Sequence, residues 1–149
     1  MEKTFIMIKP DGVQRNLTGK IISRLEDKGY KLVALKMLQL TEEQAKTHYI
    51  EHIEKPFFPS VLAYITSGPV VAMVWEGRNA VKGIRKLMGA TDPRDAEPGT
   101  IRGDFGIDIS KNVIHGADSP ESAQRELDIY FATTELLSYQ KSLDDWIYD

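Results

Sequence analysis

The 149-residue sequence contains no cysteine, which removes disulfides, thiolate nucleophiles and cysteine-ligated zinc from the chemistries open to it. Nowhere does it hold the roughly 18 consecutive apolar residues that a membrane-spanning helix needs. Met1-Glu2-Lys3-Thr4 lacks the basic region and apolar segment of a secretory leader. Repeats, low-complexity tracts and long charge runs are also missing, so no linker offers a place to divide the chain. There is no surplus of positive charge: 19 Lys and Arg against 22 Asp and Glu give a net charge of −3. That balance argues against broad affinity for nucleic acid or acidic membranes, so any anionic ligand must be held by a local cluster of cations. Together these absences predict a soluble, cytoplasmic protein with a single domain over residues 1–149. A chain of this size buries about 68 to 70% of the surface it exposes when unfolded, enough for a real core.

What is present reads as alternating strands and helices. Thr4 to Lys9 is a β-rich apolar run stopped by a Pro10-Asp11-Gly12 turn. Ile21, Ile22 and Leu25 recur at helical spacing before Gly29, and Lys31 to Gln39 alternates as a strand. Thr41 and Gln44 fit a capping box opening a helix. A short helix is expected over Val61 to Ile65, and Val70 to Trp75 carries the strongest strand signal. Val81, Ile84, Leu87 and Met88 then mark a helix closed by Gly89. Ala90 to Gly106, with few large apolar residues, reads as a long functional loop. Asn112-Val113-Ile114 is a short strand, and Ser119-Pro120 starts a helix running to Phe131. The two β-α-β halves predict an α+β, ferredoxin-like βαββαβ sandwich, with helices covering one face of a four-stranded antiparallel sheet.

Several motifs compete for the chemistry. His48-Tyr49-Ile50-Glu51-His52 matches H-x-x-E-H, a spacing that could hold zinc and make a hydrolase, although Pro56 stops the helix soon afterwards. The alternative is a solvated histidine pair. Gly12 to Lys20 fails as a phosphate loop: its glycine spacing is wrong, and Ile21 replaces the Ser or Thr that binds magnesium. Asp104-Phe105-Gly106 matches the protein-kinase triplet in a chain too short for that fold. Arg102 to Ile107 is faintly similar to an RNA-recognition motif, but Asp104 stands where an aromatic base platform belongs. A noncatalytic RNA-binding module is therefore the second rival to an enzyme. His115 is the more interesting imidazole, because it follows an apolar segment, precedes Gly116 and lies before a capped helix whose N-terminus favours anions. Lys9, Arg85 and Arg102 are the cations that could join it around a polyphosphate; spacing alone does not bring them together.

These segments resemble one family closely. Lys9-Pro10-Asp11-Gly12, Pro56-Phe57-Phe58-Pro59, Gly99-Thr100-Ile101-Arg102-Gly103-Asp104 and above all Asn112-Val113-Ile114-His115-Gly116-Ala117-Asp118-Ser119 are similar to the motifs of nucleoside diphosphate kinases. The likeness runs over nearly the whole chain. It implies one kinase domain that moves the γ-phosphoryl group of a nucleoside triphosphate, typically ATP, to a nucleoside diphosphate through a phosphohistidine. His115 matches the nucleophile, attacking through Nδ1, and Glu126 the carboxylate that orients its other nitrogen. Lys9, Arg85, Thr91 and Arg102 match phosphate ligands, Tyr49 stands close to the transferred group, and Lys9 with Asn112 would reach the sugar hydroxyl. Phe57 matches a shelf on which any base can stack, which implies broad base tolerance. The resemblance further implies Mg2+ held through substrate phosphates, and a homo-oligomer, hexamer favoured over tetramer, with contacts from the Ala90 to Thr100 loop and the C-terminal Tyr148-Asp149. One departure adjoins the nucleophile: Ala117 stands where many members have serine.

Overall fold

The computed structural model of the chain describes residues 1–149. Its sheet has four strands, β1 (Glu2–Ile8), β2 (Lys31–Leu38), β3 (Val70–Gly77) and β4 (Ile114–Gly116), in the order β2-β3-β1-β4 with every pair antiparallel. This is the ferredoxin-like arrangement expected from the sequence. Around it lie α1 (Pro10–Gln14), α2 (Thr18–Lys28), α3 (Glu42–His48), α4 (Phe58–Ile65), α5 (Ala80–Met88), α6 (Ile101–Phe105) and α7 (Pro120–Tyr130).

Side chains of a strand point alternately to its two faces, and here both faces are apolar. Ile6, Ile8, Val71, Met73 and Trp75 pack on one side against Ile21 and Leu25 of α2 and Ile84 and Met88 of α5. Phe5, Met7, Ala72 and Val74 pack on the other against Ala45 of α3, Ile65 of α4, and Leu127 and Tyr130 of α7. Helices therefore cover both faces, not the one that the sequence suggested. The reason is the composition of β1 and β3, where Thr4 to Ile8 and Val70 to Trp75 are buried without alternation.

Local signals explain most boundaries. Gly29 ends α2 in the left-handed region at φ 115, which costs glycine little. The Thr41–Gln44 capping box forms as expected. Three expectations are corrected. Pro10-Asp11-Gly12 is not a turn but the opening of α1, with proline in the first helical turn, where its missing N–H costs nothing. The supposed loop from Ala90 to Gly106 contains α6, capped by the Thr100 hydroxyl accepting from the Gly103 N–H at 3.0 Å. Strand β4 begins after Val113, not before it, so His115 lies within the strand, opposite Met7 of β1.

Candidate active site

Period-2 alternation puts Ile114 into the core with Ile6 and Ile8, and turns His115 to the face that carries Phe5, α3 and α7. The chain reaches β4 through a tight reversal. Val113 has φ 75, and the Ile114 N–H donates to the Asn112 carbonyl at 2.8 Å, closing a strained γ-turn. A buried β-branched residue in that region costs on the order of 1–3 kcal/mol and persists only if its surroundings over-determine it. They do so here. The Val113 N–H donates to Asp11 Oδ2 at 3.1 Å, and its carbonyl accepts from the Lys9 N–H at 2.8 Å. Tyr64 donates its hydroxyl to Asp11 Oδ1. Gly12 permits the approach, since a Cβ there would lie 3.0 Å from the Val113 carbonyl oxygen and 2.7 Å from Ile8 Cγ2.

The turn brings Asn112 and His115 to one cleft of about 210 Å³, lined also by Lys9, Tyr49, Arg85, Thr91, Arg102 and Glu126. Lys9 donates through Nζ to Asn112 Oδ1 at 2.8 Å, and Asn112 Nδ2 donates to the Thr91 carbonyl at 3.0 Å. Arg85 of α5 donates to the Gly116 carbonyl at 2.8 Å. Arg102, only 4% exposed, donates to the carbonyls of Asn112 at 3.2 Å, Gly89 at 3.1 Å and Ile114 at 2.6 Å. It is thus a structural pin as well as a cleft residue. Burial and neighbouring cations hold Lys9 down to about 8 and Arg102 to about 10, and both stay charged at pH 7. Phe57 is not brought to the cleft wall. It is 49% exposed, outside the cleft, with its ring 5.7 Å from that of His52, which does line the cleft.

His115 Nε2 is 2.5 Å from Glu126 Oε1. Burial, with Lys9, Arg102 and Arg85 nearby, holds the imidazole well below its ordinary pKa, so it is neutral at pH 7. A carboxylate can only accept, so Nε2 carries the proton and Nδ1, which bonds to no protein group, keeps its lone pair. Glu126 reaches this place because Ser119 caps α7 and fixes its phase, setting Ala123, Glu126, Leu127 and Tyr130 along the buried stripe. Burial raises the Glu126 pKa.

The H-x-x-E-H reading does not survive the backbone. Helix α3 ends at His48, and Ile50–His52 is a separate 3₁₀ turn, so the two imidazoles are not presented one α-turn apart. His48 is not solvated either; it is buried, with Nδ1 2.9 Å from the Tyr130 hydroxyl. His48, His115 and Glu126 do bring ligand-type atoms within 4.8 Å of one another. However, two of those atoms are already bonded to each other, and Lys9, Arg85, Arg102 and Arg125 share the cleft, a poor donor set for a cation. Sequence pattern alone did not assign the buried place of His48 beside His115, nor Asp118 and Arg125 to the cleft wall, nor the Asp11–Tyr64 support. Asp118 and Asp11 lie inside the Asn112–Ser119 and Lys9–Gly12 motifs, and His48 stands at i, i+3 from the buried Ala45, whereas Tyr64 and Arg125 carried no signal.

Comparison with known proteins bears on these groups directly. The family described as nucleoside diphosphate kinase matches residues 2–136. A nucleoside diphosphate kinase from Carboxydothermus hydrogenoformans is 62% identical over 149 residues, covering all of both chains. One from Halalkalibacterium halodurans is 60% identical over 147 residues, 99% of this chain and all of that one. Among solved structures, a halophilic nucleoside diphosphate kinase from Halobacterium salinarum in complex with CDP superposes with a TM-score of 0.97 at 51% identity, over 99% of each chain. A sheet of this order, a cation-lined cleft and this degree of identity over the full length agree: the chain belongs to the nucleoside diphosphate kinase family of phosphotransferases.

Proposed function

We propose that the enzyme works by a ping-pong mechanism in which His115 Nδ1 takes the γ-phosphoryl group of a nucleoside triphosphate and returns it to a nucleoside diphosphate. The observation that carries this is the His115–Glu126 bond, which occupies Nε2 and leaves Nδ1 open to a cleft walled by Lys9, Arg85 and Arg102. In the first half-reaction the Nδ1 lone pair forms the N–P bond while the bond from γ-phosphorus to the β,γ-bridging oxygen breaks. The nucleoside diphosphate leaves with that electron pair, and the Nε2 proton stays on the ring, shared with Glu126. The second half-reaction is the reverse with a new diphosphate. A loose phosphoryl-transfer transition state asks mainly for alignment and charge stabilisation. At about 4 Å and an effective dielectric near 20, each cation supplies roughly 4 kcal/mol gross.

Arg102 spends three of its donors on carbonyls, and a guanidinium has five, so two remain for phosphate. In this reading Lys9 and Asn112, already bonded to each other, receive the sugar hydroxyl, Thr91 and Tyr49 flank the phosphates, and Phe57, exposed outside the cleft beside His52, stacks a base. A divalent cation is a general requirement of this family; we assign Mg2+, carried by the substrate phosphates. The cleft fits that reading, because Lys9, Arg85, Arg102 and Arg125 line it and favour phosphate, and the Asp118 carboxylate belongs to the same lining. When bound, the ion neutralises charge on the β- and γ-phosphates. Residues 1–149 act as one domain, in the cytoplasm and as a homo-oligomer, hexamer favoured over tetramer. Leu35 and Met37 are exposed on β2, the outer strand of the sheet, consistent with burial against a second copy.

Two-substrate kinetics test the mechanism. Parallel double-reciprocal lines, and exchange of label between a nucleoside diphosphate and its triphosphate without a second nucleotide, are expected. Intersecting lines with no exchange would require both nucleotides bound at once and would remove the histidine carrier.

A further inference from the structure

His48 ends α3, and its ring stands edge-on to that of His115, with centroids 4.6 Å apart and planes at 70°. Its Nδ1 is 2.9 Å from the Tyr130 hydroxyl. Its Nε2 is buried, has no hydrogen-bond partner and lies 3.7 Å from Glu126 Oε1. Tyr130 follows Glu126 by one turn of α7, so one helix face supplies both groups that meet this imidazole. Burial and His115 hold the His48 pKa to about 3, so the ring is neutral and has a single N–H to place.

Two tautomers are open to it, and they are not equivalent. With the proton on Nδ1, the ring would donate to the Tyr130 oxygen, the buried hydroxyl would have no acceptor, and the Nε2 lone pair would face a carboxylate. With the proton on Nε2, Tyr130 donates to Nδ1 and an N–H points toward Glu126. The second gives the Tyr130 hydroxyl an acceptor in Nδ1 and sets an N–H, instead of a lone pair, 3.7 Å from the Glu126 carboxylate, so it is the favoured one.

We propose that His48 is a positioning residue of the transfer reaction: its Nε2–H, in the tautomer selected by Tyr130, steers Glu126 Oε1 to lie between the two imidazoles and so aligns His115. This rests on His115 being the phosphoryl carrier. The competing pull on Glu126 is visible, since Arg125 lies 3.6 Å from Oε2. The other charged groups facing the carboxylate are Asp118, which precedes α7, and Arg85 of α5. His48 itself also faces Lys9 and Arg125. Without the Nε2–H, burial favours protonated Glu126. That acid would donate to His115 Nε2 and move the ring proton to Nδ1, where it blocks attack. Loss of His48 therefore shows in the pH profile, beyond any effect on rate.

The test is single-turnover phosphorylation of the full chain by magnesium ATP from about pH 5 to 9, with nucleotide affinity measured alongside. His48→Leu is expected to slow phosphorylation about tenfold or more at neutral pH and to move the acid limb up by about half a pH unit, with affinity kept within about twofold. His48→Gln, whose amide N–H takes the donor's place, should recover most of the rate. Tyr130→Phe should shift the limb in the same direction. If the limb stays put in His48→Leu and Tyr130→Phe, or if Gln serves no better than Leu, the positioning role is wrong. Should His48→Leu fail to fold, His48→Gln and Tyr130→Phe decide on their own. A parent chain that takes no phosphate on His115 would sink the carrier reading and this proposal with it, whereas phosphate on His115 with unmoved variant profiles sinks this proposal alone.

Discussion

Replacing Arg102 by lysine keeps the charge and should still destabilise the fold. The guanidinium makes three bonds to backbone carbonyls, two of them buried. An ammonium on a flexible stem can replace about one of them, and hydrogen bonds to charged groups contribute about 1.5–3 kcal/mol each, so two lost bonds give a gross loss of about 3–6 kcal/mol. The lower end applies. The Asn112 carbonyl keeps the Ile114 N–H at 2.8 Å, and the bond to Gly89 is only part-buried, where water can substitute. A net loss of about 3 kcal/mol, with a urea slope of roughly 1–3 kcal/mol/M, moves the unfolding midpoint down by about 1–3 M at unchanged slope. The assay is equilibrium urea unfolding of ligand-free protein at one chain concentration, because both ligand and subunit association raise apparent stability. A midpoint shift corresponding to less than about 0.5 kcal/mol would refute the reasoning, since it would place Arg102 among ordinary surface cations.

The buried neutral histidines make stability fall with acid. The unfolded chain takes protons on His48 and His115 below their ordinary pKa while the folded chain refuses them, so stability drops as pH falls through 6.5, continuing for His48 to about 3. The slope is at most about 1.4 kcal/mol per pH unit per histidine; urea midpoints at pH 7, 6 and 5 should fall, and fall less in His48→Gln. Glu126→Gln exchanges a charge-assisted bond for a neutral one, a loss of about 1–2 kcal/mol, or roughly 5- to 30-fold in kcat. Undiminished kcat would show that the carboxylate does not orient His115. Ala117→Ser should change turnover by less than about tenfold, because this buried side chain packs with Val81 and Ala123 and not against the cleft, and a hundredfold change in steady-state assays would contradict that.

Much of the architecture is legible in the residue pattern, because β1 and β3 are unbroken apolar runs and α2, α5 and α7 carry helical periodicity or end signals. The failures have separate causes. Pro10-Asp11-Gly12 contains three residue types that favour turns, yet tertiary bonds from Asp11 to Val113 and Tyr64 hold it as helix. Helix α6 is too short to show a period, and its cap is one hydroxyl. For the site, Glu126 could be read only through the family resemblance, because in sequence it looks like an ordinary helix-surface glutamate and its place on the buried stripe of Ala123, Leu127 and Tyr130 is seen only in the fold. The convergence of Lys9, Arg85 and Arg102 could not, since they come from a strand end and two helices separated along the chain and are assembled only by sheet pairing. Nor could the double duty of Arg102, because its carbonyl partners are backbone atoms that any sequence offers.

The most direct measurement is incubation of the full chain with magnesium ATP and no acceptor, followed by phosphate analysis after acid and after alkali. An uncharged Nδ1 acting as carrier predicts about one acid-labile, alkali-stable phosphate per chain, located on His115 and absent from His115→Ala. Phosphate on another residue, acid-stable phosphate, or continued turnover by His115→Ala would contradict it.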